Sequence, residues 1–233
     1  GLQKLELDTG LISPSAIPNA ETVGTIYEMG ESSDGTLWLA SNRGLFTVNS
    51  QRNQIMSRND LFKDIGSHSL SAILVDSHDG IWIGTVNDGA IHLLDGKTRH
   101  FKYDPDNSNS ISANSVQVIY EDAAGRIWFG TSGGGVNRLD PGRDKFFRYI
   151  GDPKNKDSLS GNVVTSIFQT RNGNMWFATQ HGLNRLVDIE SRFVRYNAKH
   201  GMASSNIRSI LEDEFGDLWV ATDLGISQFK IEQ

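Results

Sequence analysis

Few residues with the power to do chemistry stand close together in this 233-residue chain. Its six histidines, at 68, 78, 92, 100, 181 and 200, show no HxH, HExxH or His-x3-His spacing, so no metal centre is expected. Cysteine is absent, which removes thiolate zinc sites, redox pairs and thiol nucleophiles. One run, Gly130-Thr131-Ser132-Gly133-Gly134, has the Gly-x-Ser-x-Gly spacing of a hydrolase elbow. Such an elbow turns from a strand into a helix, and no segment here carries a sustained helical period. The overlapping Ser132-Gly133-Gly134-Gly135 could cradle phosphate only if a helix N-terminus followed, and none is expected. Asp76, Asp122 and Asp213 each precede a glycine and read as turn-capping acceptors; Thr170 and Met29 stand at the matching points of the other two repeats. The expectation is a chain with no catalytic residue, no metal and no cofactor.

The elements that hold these residues follow from the tryptophans. All five, Trp38, Trp82, Trp128, Trp176 and Trp219, fall at spacings of 44, 46, 48 and 43. Their surroundings repeat: Asp34-Gly35-Thr36-Leu37-Trp38-Leu39-Ala40-Ser41, Asp79-Gly80-Ile81-Trp82-Ile83-Gly84-Thr85 and Ala124-Gly125-Arg126-Ile127-Trp128-Phe129-Gly130-Thr131. The pattern continues through Trp176 to Thr179 and Trp219 to Thr222, and a glycine follows each, at 44, 89, 134, 182 and 225. Repeat one reads as carrying a three-residue insertion between Ile26 and Trp38, and repeats two and three as adding Ala90 and Gly135 after the glycine.

Each unit reads as four short strands. An apolar-alternating run such as Val116–Asp122 or Ile207–Asp213 leads into the glycine turn and the Trp strand. A third strand follows, as in Val136–Asp140 and Leu183–Val187. A fourth is marked by aromatics, in Phe101–Tyr103, Phe146–Tyr149 and Phe193–Tyr196. Four antiparallel strands per ~45 residues, repeated radially, define an all-β propeller of five blades. Blade limits fall near 23–69, 70–115, 116–163, 164–206 and 207–233 within a single domain, with 1–22 a partial blade or closing strand. The Trp, Gly84, Gly130, Thr85, Thr131, Thr179 and Thr222 recur, so they are assigned to packing between blades.

This motif, Ile-x-x-Asp-x-x-Gly-x-Leu-Trp-x-Gly-Thr-x-x-Gly-Leu, resembles the two-component regulator propeller repeat, over about residues 23–233. The resemblance implies the extracytoplasmic, periplasmic sensor region of a bacterial receptor, followed by a transmembrane helix and a kinase or cyclase output. It also implies a small polar ligand, an oligosaccharide in some members. The expected partners are therefore that ligand, the remaining propeller and transmembrane signalling portion of a longer receptor, and a second copy of the chain. The motif is similar as well to streptogramin lyase propellers, which makes a lyase the alternative, with His181 as the candidate base; a protein-binding scaffold is a third reading. Gly1–Leu7 resembles Gly225–Ile231, so the chain either closes a five-bladed ring by strand exchange or is part of a larger, for example seven-bladed, array.

Charge and composition agree with this reading. A net charge of -6 disfavours nucleic acid, whose binders need a basic face. No apolar run nears the ~20 residues of a membrane span, and the chain begins at Gly1 without an apolar signal core. Specificity should lie where repeats differ, in the loops joining second to third strands: Asn42, Arg43, Asn87, Asp88, Gln180, His181 and Asp223, with Ser132, Gly133 and Leu224 beside them. The longer inter-blade loops at Leu61–His68, Asp104–Asn114 and Asp152–Asn162 share that face. Amides, one Arg and one His suit hydroxyl-rich or anionic small ligands.

Overall fold

A computed structural model describes residues 2–62, 69–142, 144–189 and 192–230. It is all-β. A hairpin of β1 (Gln3–Leu5) and β2 (Ile12–Pro14) precedes five sheets. Blade 1 holds β3 (Ile26–Glu31), β4 (Leu37–Ser41), β5 (Gly44–Val48) and β6 (Ile55–Ser57). Blade 2 holds β7 (Leu70–Val75), β8 (Ile81–Thr85), β9 (Ala90–Leu94) and β10 (Lys97–Phe101). Blade 3 holds β11 (Val116–Glu121), β12 (Ile127–Thr131), β13 (Val136–Leu139) and β14 (Phe146–Tyr149). Blade 4 holds β15 (Val164–Gln169), β16 (Met175–Thr179), β17 (Gly182–Asp188) and β18 (Arg192–Tyr196). Blade 5 has three strands among the described residues, β19 (Ile207–Glu212), β20 (Leu218–Thr222) and β21 (Gly225–Phe229). Each sheet is a meander in chain order, as the short polar turns require. Residues Gly1–His100 and Phe101–Gln233 form two compact units, the first built on blades 1 and 2 and the second on blades 3 to 5.

Register corrects two readings of the sequence. Met29 pairs with Leu39 as Ile73 pairs with Ile83 and Ile167 with Phe177, so repeat one has no insertion. Ile26 is the counterpart of Leu70, which left the apparent gap three residues too long. Likewise the extra residue of repeats two and three lies before the conserved glycine: Thr85 and Thr131 donate to the carbonyls of Gly89 and Gly135, leaving Gly134 in the loop. The fourth strand of blade 2 also sits earlier than its aromatics suggested. It ends at Phe101, because the Tyr103 amide is taken by Asn114 Oδ1 at 2.7 Å and the chain turns into the loop.

The tryptophans hold neighbouring blades together. In the second unit Trp128 is fully buried against blade 4, with its ring 5.3 Å from Phe177 and Ile167, Met175 and Leu186 around it. Trp176 packs in the same way on Ile210, Leu218, Val220 and Phe229 of blade 5. In the first unit Trp38 meets Ile73, Ile81, Ile83 and Leu93 of blade 2. Each indole takes on the order of 200 Å² out of water, which stabilises by about 4 kcal/mol. Gly130 is small for a related reason: a Cβ there would stand 2.5 Å from Val118 and 2.7 Å from Val164 of the next blade.

Candidate functional site

The two ends of each blade have different work. At one end lies the turn between first and second strands. Asp122 Oδ1 accepts the amides of Ala124 and Arg126, while Oδ2 accepts Trp128 Nε1 at 2.7 Å and Arg126 Nε at 2.6 Å. Asp76 does the same for His78, Gly80 and Trp82, and Asp213 for Phe215, Asp217 and Trp219. These carboxylates are turn caps, as expected, and also the acceptors for the indoles. In blade 1 the counterpart is Ser32, not Met29: its Oγ accepts Trp38 Nε1 at 3.0 Å. In blade 4 Thr170 turns its hydroxyl to Asn172 Oδ1, and the buried Trp176 Nε1 has no hydrogen-bond partner among the described residues. Burial pushes the Asp76 carboxyl up. The His92 ring 3.7 Å away, the Trp82 indole and two backbone amides outweigh that, and hold it at about 2. Asp79 stands where the other turns have glycine, at φ 60°, and its carboxylate receives the amide and hydroxyl of Ser33 from blade 1.

At the other end the Thr or Ser that closes the second strand clamps the loop to the third. Thr179 donates to the Gly182 carbonyl at 3.0 Å and accepts the His181 amide at 3.1 Å; Ser41, Thr85, Thr131 and Thr222 repeat both bonds. Gly44, Gly182 and Gly225 reach φ of 109°, 144° and 135°, a region closed to residues with a Cβ. Ser132 lies in such a loop, between β12 and β13, so the hydrolase spacing around it joins two strands.

This frame sorts the expected binding residues. Asn42 is a local pin: its Oδ1 accepts the Thr25 amide at 2.8 Å. Arg43 reaches the carbonyl of Thr22 at 3.3 Å. Asp88 meets His100, whose Nε2 lies 3.4 Å from its carboxylate. Asp223 accepts from Ser204 and Asn206, which with the nearby Arg208 charge lowers its carboxyl from the ordinary range. Asn87, Gln180 and His181 remain exposed at loop tips with no side-chain hydrogen bond among the described residues. In the second unit Gln180, His181 and Asp223 share the loop end, and in the first Asn42, Arg43, Asn87 and Asp88 do. Lys63, Asp64 and His68 of the first long loop lie outside the described residues, as do Gly1 and Ile231.

Two groups of residues escaped the sequence reading. The first is a β-bulge: in all five first strands the register skips one residue near the loop end, at Tyr27, Ser71, Gln117, Thr165 and Arg208. A bulge re-aims its side chain away from the ladder, and here the five blades place five different residues at it. The second is a pair of loop clamps. Arg148 of β14 donates to the Ser110 carbonyl at 2.8 Å and the Asn107 carbonyl at 2.9 Å; Arg195 of β18 holds Ser158 and Asn155, both at 2.6 Å. Asn137 and Asn184 accept the amides of Ser112 and Ser160, both at 2.8 Å, and Ile111 and Leu159 are buried beneath. The signal was present in the aromatic-x-Arg-Tyr strands and in loops sharing Asp-Pro-x-Asn, 48 residues apart at Asp104 and Asp152. Among the described residues no group of side chains could hold a metal, and no helix is long and apolar enough to cross a membrane.

A model of the two component regulator propeller matches residues 110–133, 158–181 and 201–223. Blades 3, 4 and 5 match that repeat. Its matched stretches run from the clamped loop or bend, through the first strand and the Trp strand, to the Thr clamp in blades 3, 4 and 5. No curated protein matches the chain. Among solved structures, the extracellular domain of a putative hybrid two component system from B. thetaiotaomicron is 18% identical with a TM-score of 0.74, over 88% of this chain and 27% of that one. PorZ, a surface component of the type-IX secretion system of Porphyromonas gingivalis, is 16% identical at 0.71, over 93% and 34%. A catalytically inactive virginiamycin B lyase from Staphylococcus aureus, solved with quinupristin, is 15% identical at 0.69, over 99% and 77%. At such identities the likeness is one of fold. This chain spans 27% of the length of the first of these structures.

Proposed function

We propose that the chain is a non-catalytic, extracytoplasmic ligand-sensing propeller that takes a small polar ligand at the loop end of its blades. One observation carries this reading. The bulge residues differ from blade to blade while the Gly and Thr or Ser loop clamp recurs, and in the second unit they are Gln117 and Arg208, both exposed, with Thr165 between them donating to the Ile207 carbonyl at 2.7 Å. With Gln180 and His181 at the same end, the group offers amide donors and acceptors, one guanidinium and one imidazole. Hydroxyl-rich sugars and small anions are the ligands such a set recognises. The likeness to an extracellular two component domain supports a place outside the cytoplasm, with the rest of a receptor as the partner that reads the ligand.

The test is a thermal-shift screen of the whole chain against neutral oligosaccharides and small carboxylates. A ligand at a hundredfold excess over its Kd raises stability by about 2.7 kcal/mol, and Arg208→Ala should weaken the shift. If nothing in either panel moves the melting point, the reading fails. Turnover of a cyclic lactone that disappears in His181→Ala would instead favour the lyase alternative. Against that alternative, His200 is tied to Asn197, which leaves His181 as the second unit's one imidazole without a hydrogen bond among the described residues.

A further inference from the structure

The first blade contains a cavity of about 540 Å³, lined by Leu2, Ile17, Met29, Leu37, Leu39 and Val48 among others. Four of these have counterparts in every complete blade interface of the two units. Where Trp128 meets blade 4, the receiving residues are Ile167 on the first strand, Met175 and Phe177 on either side of the next Trp, and Leu186 on the third strand. Trp176 is received by Ile210, Leu218, Val220 and Phe229, and Trp38 by Ile73, Ile81, Ile83 and Leu93. By register the corresponding residues of blade 1 are Met29, Leu37, Leu39 and Val48. Met29 is 58% exposed, against 3% for Ile73, 4% for Ile167 and 7% for Ile210.

We infer that this cavity is a socket for an indole, and that its occupant is the Trp-bearing inner hairpin of a further blade whose third and fourth strands are β1 and β2. The hairpin β1–β2 fits that role. It is antiparallel, with Gln3 opposite Pro14, as β13 is to β14. Leu2-Gln3-Lys4-Leu5 also follows the pattern of the third strand Ile226-Ser227-Gln228-Phe229. It lies beside the socket, where Leu2 and Ile17 pack against the cluster of Val23, Leu39, Phe46 and Val48. Third- and fourth-strand residues cover the neighbouring blade in the same way in the second unit, where Val136 and Tyr149 join the cluster around Phe177. Among the described residues no inner pair of strands, the part that carries Trp in every other blade, accompanies β1 and β2. The same geometry supplies an acceptor. Gln169 and Glu212, each closing a first strand, receive the amides of Ala123 and Arg171 from the turn of the preceding blade. Glu31 holds that position in blade 1.

The experiment extends the chain before Gly1 with a copy of residues 207–224, so that a Trp-bearing hairpin leads directly into β1. Melting temperature and acrylamide quenching of the added Trp are then measured. The inference expects a rise of about 5 °C or more over the unextended chain and an added indole shielded from quencher. Met29→Asp should remove the rise in the extended chain and leave the unextended chain unchanged, since Met29 is exposed there. Quenching equal to that of free N-acetyl-tryptophanamide, with no rise, would overturn it. So would self-association of the unextended chain that Trp219→Ala abolishes, because the socket would then serve a second copy.

Discussion

Blades 3 and 4 are built on one plan but differ at the turn that leads into the Trp strand. Both bury their Trp, at 0% and 2% exposure, and both carry a loop clamped by Arg and Asn. Yet Trp128 donates to Asp122, whereas Trp176, with Thr170 at the matching turn position, finds no acceptor among the described residues. The difference separates two roles that the repeat usually combines. The ring is kept for volume, because the next blade must be covered. The indole N–H bond is an addition, and a blade survives without it at the cost of one unsatisfied donor.

Removing the volume should therefore hurt both blades alike. Trp128→Ala and Trp176→Ala each open a cavity between two sheets and are expected to cost about 3–5 kcal/mol in chemical denaturation. A cost confined to blade 3 would break the comparison, since it would tie the ring's contribution to its carboxylate. Removing the polar partner should instead divide them. Asp122→Ala strands the Trp128 indole, the Arg126 guanidinium and two turn amides, for about 3 kcal/mol. Thr170→Ala, which strands no charge, is expected to cost roughly 1 kcal/mol or less.

Acid should expose the same division. The Asp76 carboxyl is held at about 2 in the folded protein, below its unfolded value of about 3.9. Its contribution is therefore complete above about pH 4 and is lost as pH falls towards 2. The loss is on the order of 2 kcal/mol. Denaturant midpoints between pH 6 and pH 2.5 should fall less steeply in Asp76→Asn than in the native chain. An identical acid slope in the two proteins would show that the turn carboxylate is not what acid attacks.

The frame of this molecule was legible because it repeats. Trp spacing announced the blades, since a role needed five times leaves five copies; the recurring Thr, Ser41 in repeat one, reads in the sequence as packing between blades, and only its hydrogen bonds reveal a loop clamp. Blade 1 was misaligned because Met29 replaces the Ile of the other four first strands and Ser32 the Asp of three of them, and only pairing with Leu39 fixes the register. The loop-end residues were chosen for their variety, but variety does not tell a pin from a probe: Asn42 and Asp223 are spent on the backbone and side chains beside them. The bulge positions were hidden for a different reason. A bulge breaks the alternation of a strand by one residue, so Gln117 and Arg208 read as ordinary polar positions until their partners are known.

A gain of stability, small beside the losses above, is the most direct test of the comparison between blades 3 and 4. Thr170→Asp places a carboxylate six residues before Trp176, the separation found in blades 2, 3 and 5. The turn already has the required shape, with Gly173 at φ 87° against 71° for Gly125. One oxygen can then receive the Trp176 indole and the other the turn amides. Two features limit the gain: the site is only 3% exposed, so the new charge is desolvated, and Asn174 replaces the Arg126 that balances Asp122. The balance favours the bond by about 1 kcal/mol, read as a higher denaturant midpoint. Adding Asn174→Arg should increase it further, because the pair then matches blade 3. If Thr170→Asp destabilises and Asn174→Arg does not rescue it, blade 4 is adapted to an unpaired indole, and the two blades differ by more than their turn.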